Sequence, residues 1–296
     1  MKRNDLLWKA ALEDMFDDFL RFFYPDASKL FDLEKGFEYL DKELEQLFPP
    51  EADHYAVKYV DKLVKVFTHA GDETCVLVHV EVQGYPDADF AQRMFQYYCR
   101  ILDKYKMPVT AFALFVDANK NFHPKHYQQE FLGTKVYYEF NTCKILALDE
   151  AELEASNNPF AMAVLTAKLA LTRPKLDDDQ LFDLEYSLAK RLLNKQMPRE
   201  KIRKVMNFLR YYLSFENPQM FAKFTKEIAE LTERSNTMGI EEFLLDQARK
   251  DGIEKGIEKN TRETALKMVK NGIEINLISN ITGLSVEEIE NLEKRN

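Results

Sequence analysis

Asp61 and the triplet Glu81-Val-Gln83 are the residues whose types and spacing can do chemistry. Glu81 and Gln83 close the run Cys75-Val-Leu-Val-His-Val-Glu-Val-Gln83. Strict alternation gives Val76, Val78, Val80 and Val82 to one strand face, and Leu77, His79, Glu81 and Gln83 to the other. A wholly valine face belongs to a core strand. Asp61 opens a second apolar run, Asp61-Lys-Leu-Val-Lys-Val-Phe67, and the segment Thr68 to Thr74 is short enough to join the two as an antiparallel hairpin. That pairing brings Asp61 near Glu81 at the ends away from the turn. Two acids held together repel unless a cation lies between them, which is the arrangement a Mg²⁺ site needs.

The elements around the hairpin must position it. Residues 5 to 48 have helical periodicity, with Phe16, Phe19, Leu20 and Phe23 as an apolar stripe. After the turn at Gly84-Tyr-Pro-Asp87, Asp89 is placed to cap a helix running to Tyr105, with Phe90, Met94, Tyr98 and Ile101 facing inward. Val109 to Val116 is apolar almost throughout, as a central strand covered on both faces would be. Lys135 to Phe140 reads as a further strand that Lys144 to Leu148 continues. The order helix, strand, strand, helix, strand, strand predicts an α/β core, a mixed sheet flanked by helices. From about residue 150 the patterns are helical only, broken at Pro159, Pro174, Pro198 and Pro218. The expected divisions are a core over 1–150, a helical domain over 151–238 and a polar helical tail over 239–296. In that tail Gly283 ends one short helix, and Ser285 with Glu288 forms the capping box of the next.

The wider context resembles a known family. Leu40-Asp-Lys-Glu-Leu44, Val78-His-Val-Glu-Val-Gln-Gly84, Phe90-Ala-Gln-Arg-Met94 with Tyr97, and Gly252-Ile-Glu-Lys-Gly256 occur in that order. Together they resemble the recombination-promoting nuclease (Rpn) family, often labelled putative transposases, within the PD-(D/E)XK nuclease superfamily. The resemblance covers most of the chain and is strongest around residues 37 to 117. It implies a restriction-endonuclease-like sheet and Mg²⁺-dependent cleavage of DNA, with Mn²⁺ as a substitute. It also implies site roles: Asp61 and Glu81 bind the metal, the Val82 carbonyl adds an oxygen, and Glu43 approaches from a helix. Gln83 stands where the superfamily usually has lysine. Glutamine orients a water but brings no positive charge, and Lys65 has the strand parity of Asp61 to compensate in part. Arg93 and Tyr97, one helical turn apart, are candidates for phosphate contact.

Each of these residues has an ordinary reading as well. Alternating strands commonly end in solvated acids, Glu43 shares its segment with Glu38, Asp41 and Glu45, and Tyr97 fits a half-buried core position. Between Lys190 and Arg210 eight basic residues accompany one acid, Glu200. That stretch suits a DNA backbone or, equally, helices that balance the acidic N-terminal ones. From residue 250 onward nine acids outnumber eight bases, so the helix-turn-helix-like end points to oligomerisation or packing before DNA reading.

Composition bounds the function. A net charge of −9 excludes a chain coated in nucleic-acid-binding surface, but leaves room for a local basic patch and a metal. No apolar run approaches the roughly 20 residues that span a bilayer. Asp5, Glu13, Asp14, Asp17 and Asp18 interrupt any signal-peptide pattern, so a cytoplasmic chain is expected. Cys75, Cys99 and Cys143, odd in number and far apart, read as buried thiols in a reducing compartment. Two alternatives to an enzyme remain open: a DNA-binding or assembly module whose nuclease site has decayed, and a protein-interaction factor carried by the helical half.

Overall fold

The computed structural model describes residues 2–40, 60–69, 73–81, 89–173, 175–213, 215, 217–234, 261, 264–269, 273–282 and 289; at 2–6, 60, 61, 73, 75–81, 218, 229, 232–234, 276, 280 and 281 the description is of the backbone. In chain order the helices are α1 (Lys2–Asp14), α2 (Phe16–Phe23), α3 (Ala27–Leu30), α4 (Phe90–Tyr105), α5 (Glu150–Ala155), α6 (Pro159–Thr172), α7 (Asp178–Leu193), α8 (Arg199–Tyr212), α9 (Pro218–Arg234) and α10 (Ile275–Thr282). The strands are β1 (Glu38–Tyr39), β2 (Val60–Phe67), β3 (Glu73–Glu81), β4 (Val109–Phe115), β5 (His126–Phe131), β6 (Thr134–Glu139) and β7 (Asn141–Lys144). The class is mixed α/β. A five-stranded sheet has the order β1-β2-β3-β4-β7, and β5-β6 forms a separate two-stranded sheet.

The main sheet changes direction halfway. β2 runs antiparallel to β1 and β3, whereas β3, β4 and β7 are parallel. A parallel neighbour needs a crossover, and α4 supplies the one between β3 and β4. One sheet face, through Leu63, Ala111, Ala113 and Phe115, packs on Phe90, Met94, Tyr97 and Ile101 of α4. The stripe is that expected from the sequence except that Tyr97, not Tyr98, is the buried tyrosine. On the other face Phe112 meets Phe19 and Phe23 of α2 at 5.2 and 5.0 Å between ring centroids. The fully buried Lys62 pairs there with Glu13 of α1. β4 is thus covered on both sides, and its residues 111–115 are all buried, as a continuous apolar run requires.

Two expectations for residues 120–148 are corrected. β6 does not join the main sheet: it pairs with β5, whose His-Tyr-Gln-Gln-Glu-Phe sequence lacks the apolar alternation that betrays a strand. The strand after it is β7, ending at Lys144, and Ile145–Ala147 turns as a 3₁₀ helix.

The change in composition near residue 150 is a change of element type within one compact unit, residues 1–224; residues 225–296 form a second. α6 explains this. It is buried from Pro159 to Leu169 on every side, the pattern of a helix inside a core. Phe160 meets Trp8 of α1 and Phe19 of α2, and Trp8 meets Phe208 of α8 at 5.0 Å. Asn158 fixes the start of α6. Its side chain accepts from Phe160 N at 2.8 Å and donates to the Asp18 carbonyl at 2.9 Å. Asn158→Ala is therefore expected to lower the stability of the unit by about 1–2 kcal/mol, read as a shifted urea midpoint at constant slope.

The basic stretch of α7 and α8 is largely committed to this packing. Lys201 Nζ bonds Asp17 and Asp18 at 2.6 and 2.5 Å, Arg191 pairs with Glu154, and Lys195 donates to the Glu154 and Ser156 carbonyls. Burial works against the charge of Lys201, but its two carboxylate hydrogen bonds outweigh it and raise the pKa. Lys201 thus balances the acidic first helices, one of the two roles its sequence allowed, whereas Arg191 and Lys195 anchor on α5 and the residue after it.

Glu185 and Arg210 are buried between α7 and α8, at 0% and 4% exposure. Among the described residues neither oxygen of Glu185 has a hydrogen-bond partner. Burial pushes this carboxyl well above its ordinary value of 4.5, with Arg210 opposing. The folded chain thus holds a proton that the unfolded chain loses above pH 4.5, so stability falls as pH rises from there toward the folded pKa. Glu185→Gln is expected to flatten that slope and to melt higher than the parent at pH 7, with the two converging near pH 4; thermal melts across that range test it.

In the second unit Ala265, Ile278 and Ile289 form a small buried core, with Met268, Val269, Ile273 and Ile275 packed against it. Helical residues 264–269, α10 and position 289 contribute to it. Gly283, Ser285 and Glu288, the predicted cap residues, lie outside the described residues.

Candidate active site

The hairpin expected from the sequence is present, and its register fixes the geometry. Asp61 is the direct partner of His79 across the β2–β3 ladder, and Val60 of Val80. Glu81, two residues beyond His79, is the last residue of β3. Asp61 and Glu81 therefore stand at diagonal positions of one sheet face, roughly 7–8 Å apart. Across β3 the same row continues to Phe115 of β4, and from Phe115 to Lys144 of β7. This end of the sheet carries the C-terminal ends of three parallel strands, where open α/β sheets bind ligands.

α4 starts over that end. Phe90, its first residue, lies 5.3 Å from Phe115, the neighbour of Glu81 in the register. Arg93 sits in the same first turn, half-buried, with its guanidinium carbon 5.6 Å from the Phe90 ring. The fold thus brings Arg93 to the Asp61/Glu81 end. Tyr97 is carried one turn further into the apolar cluster and is 8% exposed, the core position that was its ordinary reading. Lys65 is not brought to the site. It lies four residues along β2 from Asp61, roughly 13 Å away, and binds Glu38 at 2.5 Å. Glu43, Val82 and Gln83 lie outside the described residues.

Two polar residues at this end escaped the sequence reading. Lys144 donates to Asp117 at 2.5 Å, and their side chains are 3% and 0% exposed. Asp117 lies two residues beyond the end of β4 and also accepts from Asn119 N at 2.8 Å. Beside them His123 is hydrogen-bonded to Thr142 Oγ1 at 2.9 Å, with its ring 5.4 Å from Phe115. Burial, and then the charges of Lys125 and Lys144, lower the His123 pKa against the pull of Asp117. The one sequence signal for the pair was a lysine ending a strand beside Cys143 and Ile145. The cysteines were half foreseen: Cys143 is buried, its thiol pushed up to about 12, but Cys99 is exposed on α4.

The backbone sets positions 61 and 81 diagonally on an antiparallel hairpin, beside a helix crossover and parallel strands, with Arg93 in the first turn of that helix. Residues 258–294 match the family model of the Rpn/YhgA-like nuclease family, C-terminal HTH domain. The match covers the C-terminal segment and does not extend to residues 61–83. No curated protein and no solved structure matches the chain. Among the described residues no helix is long and apolar enough to cross a membrane.

Proposed function

We propose that the chain is a divalent-metal-dependent DNA nuclease with a restriction-endonuclease-like sheet, its active centre at Asp61 and Glu81. The observation that carries this reading is the β2–β3 register, which sets two acids at diagonal positions at the ligand-binding end of the sheet. The donor set fits the cation. Carboxylates and a backbone carbonyl are hard oxygen ligands, and Mg²⁺ or Mn²⁺ accepts one or two carboxylates while keeping several waters. Asp61, Glu81 and the Val82 carbonyl would hold the ion, with Glu43 a further candidate carboxylate. A bound cation there supplies Lewis acidity toward the phosphate and lowers the pKa of water at neutral pH.

The residues then position the reaction. Gln83 orients the attacking water, and Arg93, in the first turn of α4, binds a phosphate oxygen. Water adds to phosphorus, the P–O bond to the leaving sugar breaks, and the water proton passes to solvent as the leaving oxygen is protonated. The HTH segment contributes DNA affinity, which is consistent with the family match. It could also join copies of the chain into a homo-oligomer.

The test is nicking of supercoiled plasmid by the full chain with Mg²⁺ or Mn²⁺. Metal-dependent nicking that Asp61→Ala abolishes, without loss of fold, is the expected result. A well-folded chain that never cuts would end the catalytic reading. Gln83 favours one second reading, a DNA-binding module with a decayed site. Under it the chain retains salt-dependent DNA affinity without cutting.

A further inference from the structure

The β5–β6 hairpin stands apart from the main sheet. Its loop, Leu132-Gly133, has positive φ at both residues, 46° and 87°, as a two-residue turn between antiparallel strands requires. One face of the hairpin rests on α4, where Tyr138 meets Phe95 and Tyr98 at 5.6 and 4.9 Å between ring centroids. The other face is open. The most exposed large apolar residues among those described are here: Phe131, Leu132 and Tyr137, at 69, 88 and 63% exposure. Apolar side chains gathered in this way mark an interaction surface.

The ladder shows which backbone groups are unused. Phe140 N donates to the Lys125 carbonyl, one step beyond the last pair of the hairpin. Antiparallel alternation then turns the N–H and C=O of Val136 and Tyr138 toward β5, and those of Lys135, Tyr137 and Glu139 away from it. Among the described residues no strand pairs with that outer edge of β6. An unpaired edge is a template for another strand unless its side chains repel the newcomer. The side chains of β6 are instead self-complementary. Lys135, Tyr137 and Glu139 are all exposed and share one face. A two-fold axis through Tyr137 sets Lys135 of one copy opposite Glu139 of the other, and Tyr137 opposite its own counterpart. Within each hairpin Lys135 already pairs with Glu130 at 2.9 Å, and Glu139 stands opposite His126. The outer rows of the joined sheet thus read Glu130, Lys135, Glu139, His126, acid alternating with base. An axis through Lys135 or Glu139 would oppose like charges.

We infer that β6 is a self-association edge, at which two copies of this chain pair antiparallel about Tyr137 to form one four-stranded sheet. Each facing pair exchanges both of its backbone hydrogen bonds, and the Lys–Glu and Tyr–Tyr pairs add cross-strand contacts. A net charge of −9 opposes association at large, whereas the charges brought together here cancel. The interface is independent of the chemistry at positions 61 and 81 and of the C-terminal helices.

The experiment is sedimentation velocity on the full chain, without metal or DNA. An interface this small predicts a weak dimer, with a Kd of about 1–100 μM. Lys135→Glu and Glu139→Lys each oppose like charges at both ends of the pairing, and each is expected to weaken the dimer about tenfold or more. An equimolar mixture of the two variants restores opposite charges and is expected to dimerise as the parent does. A residue that only supports its own hairpin gives no such rescue. Tyr137→Pro removes an N–H that the β5–β6 ladder does not use, and is expected to abolish the dimer while the chain stays folded by circular dichroism. Hydrogen exchange reads the place: the amides of Lys135, Tyr137 and Glu139 slow as concentration rises, and those of Val136 and Tyr138 do not change. A chain that stays monomeric at about 200 μM, above the expected Kd range, overturns the inference. So does a dimer that survives both charge reversals, or a mixture that fails to recover, even if the proline variant does not fold.

Discussion

Glu81→Ala is expected to reduce metal-dependent plasmid nicking by about 10³-fold or more while leaving the metal-free chain as stable as its parent. The first half follows from what the carboxylate does. Removing a ligand from a two-carboxylate site costs several kcal/mol of cation binding and transition-state stabilisation, and about 4 kcal/mol corresponds to a factor of 10³. The second half follows from the register. Glu81 is the final residue of β3 and lies diagonal to Asp61, so without a cation the two charges repel. Alanine relieves that repulsion and leaves the backbone ladder in place. Melting curves with and without Mg²⁺ separate the effects. The parent gains melting temperature with the ion by mass action, and the variant does not. A variant that melts early and cuts in proportion to its folded fraction would place Glu81 in the fold and not in the reaction.

What the sequence made legible was set by periodicity. The alternating runs 61–67 and 75–83 predicted the hairpin, and its observed register puts Asp61 and Glu81 at one end. The unbroken run 109–116 predicted a strand covered on both faces, and the α4 stripe was off only at the neighbouring tyrosines 97 and 98. Periodicity could not show pairings between distant, individually unremarkable residues. Lys201 meets Asp17 and Asp18 across more than 180 positions, and that pairing, with Trp8 on Phe208, ties the later helices to the first ones. A local shift in composition at residue 150 carries no information about such contacts. β5 was invisible for a related reason. Its strand stands against α4 through Tyr127, which stacks on Phe95, and it exposes nearly everything else, so no apolar face marks it.

The Asp117–Lys144 pair was equally hidden, and its disruption carries the largest stability effect expected in this chain. Both side chains are out of water, and the lysine lies 5.7 Å from the Phe115 ring. Removing one partner leaves the other charge buried without compensation, so Asp117→Ala or Lys144→Met is expected to cost about 3–5 kcal/mol. Asp117→Ala also removes the acceptor of the Asn119 N–H, which places it at the upper end of that range. The double variant, Asp117→Leu with Lys144→Met, removes both charges together and is expected to recover most of the loss, because a buried pair adds little over apolar packing of similar volume. Urea denaturation of the parent, Asp117→Leu, Lys144→Met and the double variant gives the coupling directly. If the double variant is as unstable as either single, the pair holds the β4–β7 junction through geometry that apolar side chains cannot replace. If it is stable and still cuts, the pair serves the fold beside Glu81 and not the chemistry. A double variant that folds fully but cuts poorly would instead tie the buried ammonium to the reacting end of the sheet, since Phe115 alone separates Lys144 from Glu81 in the register.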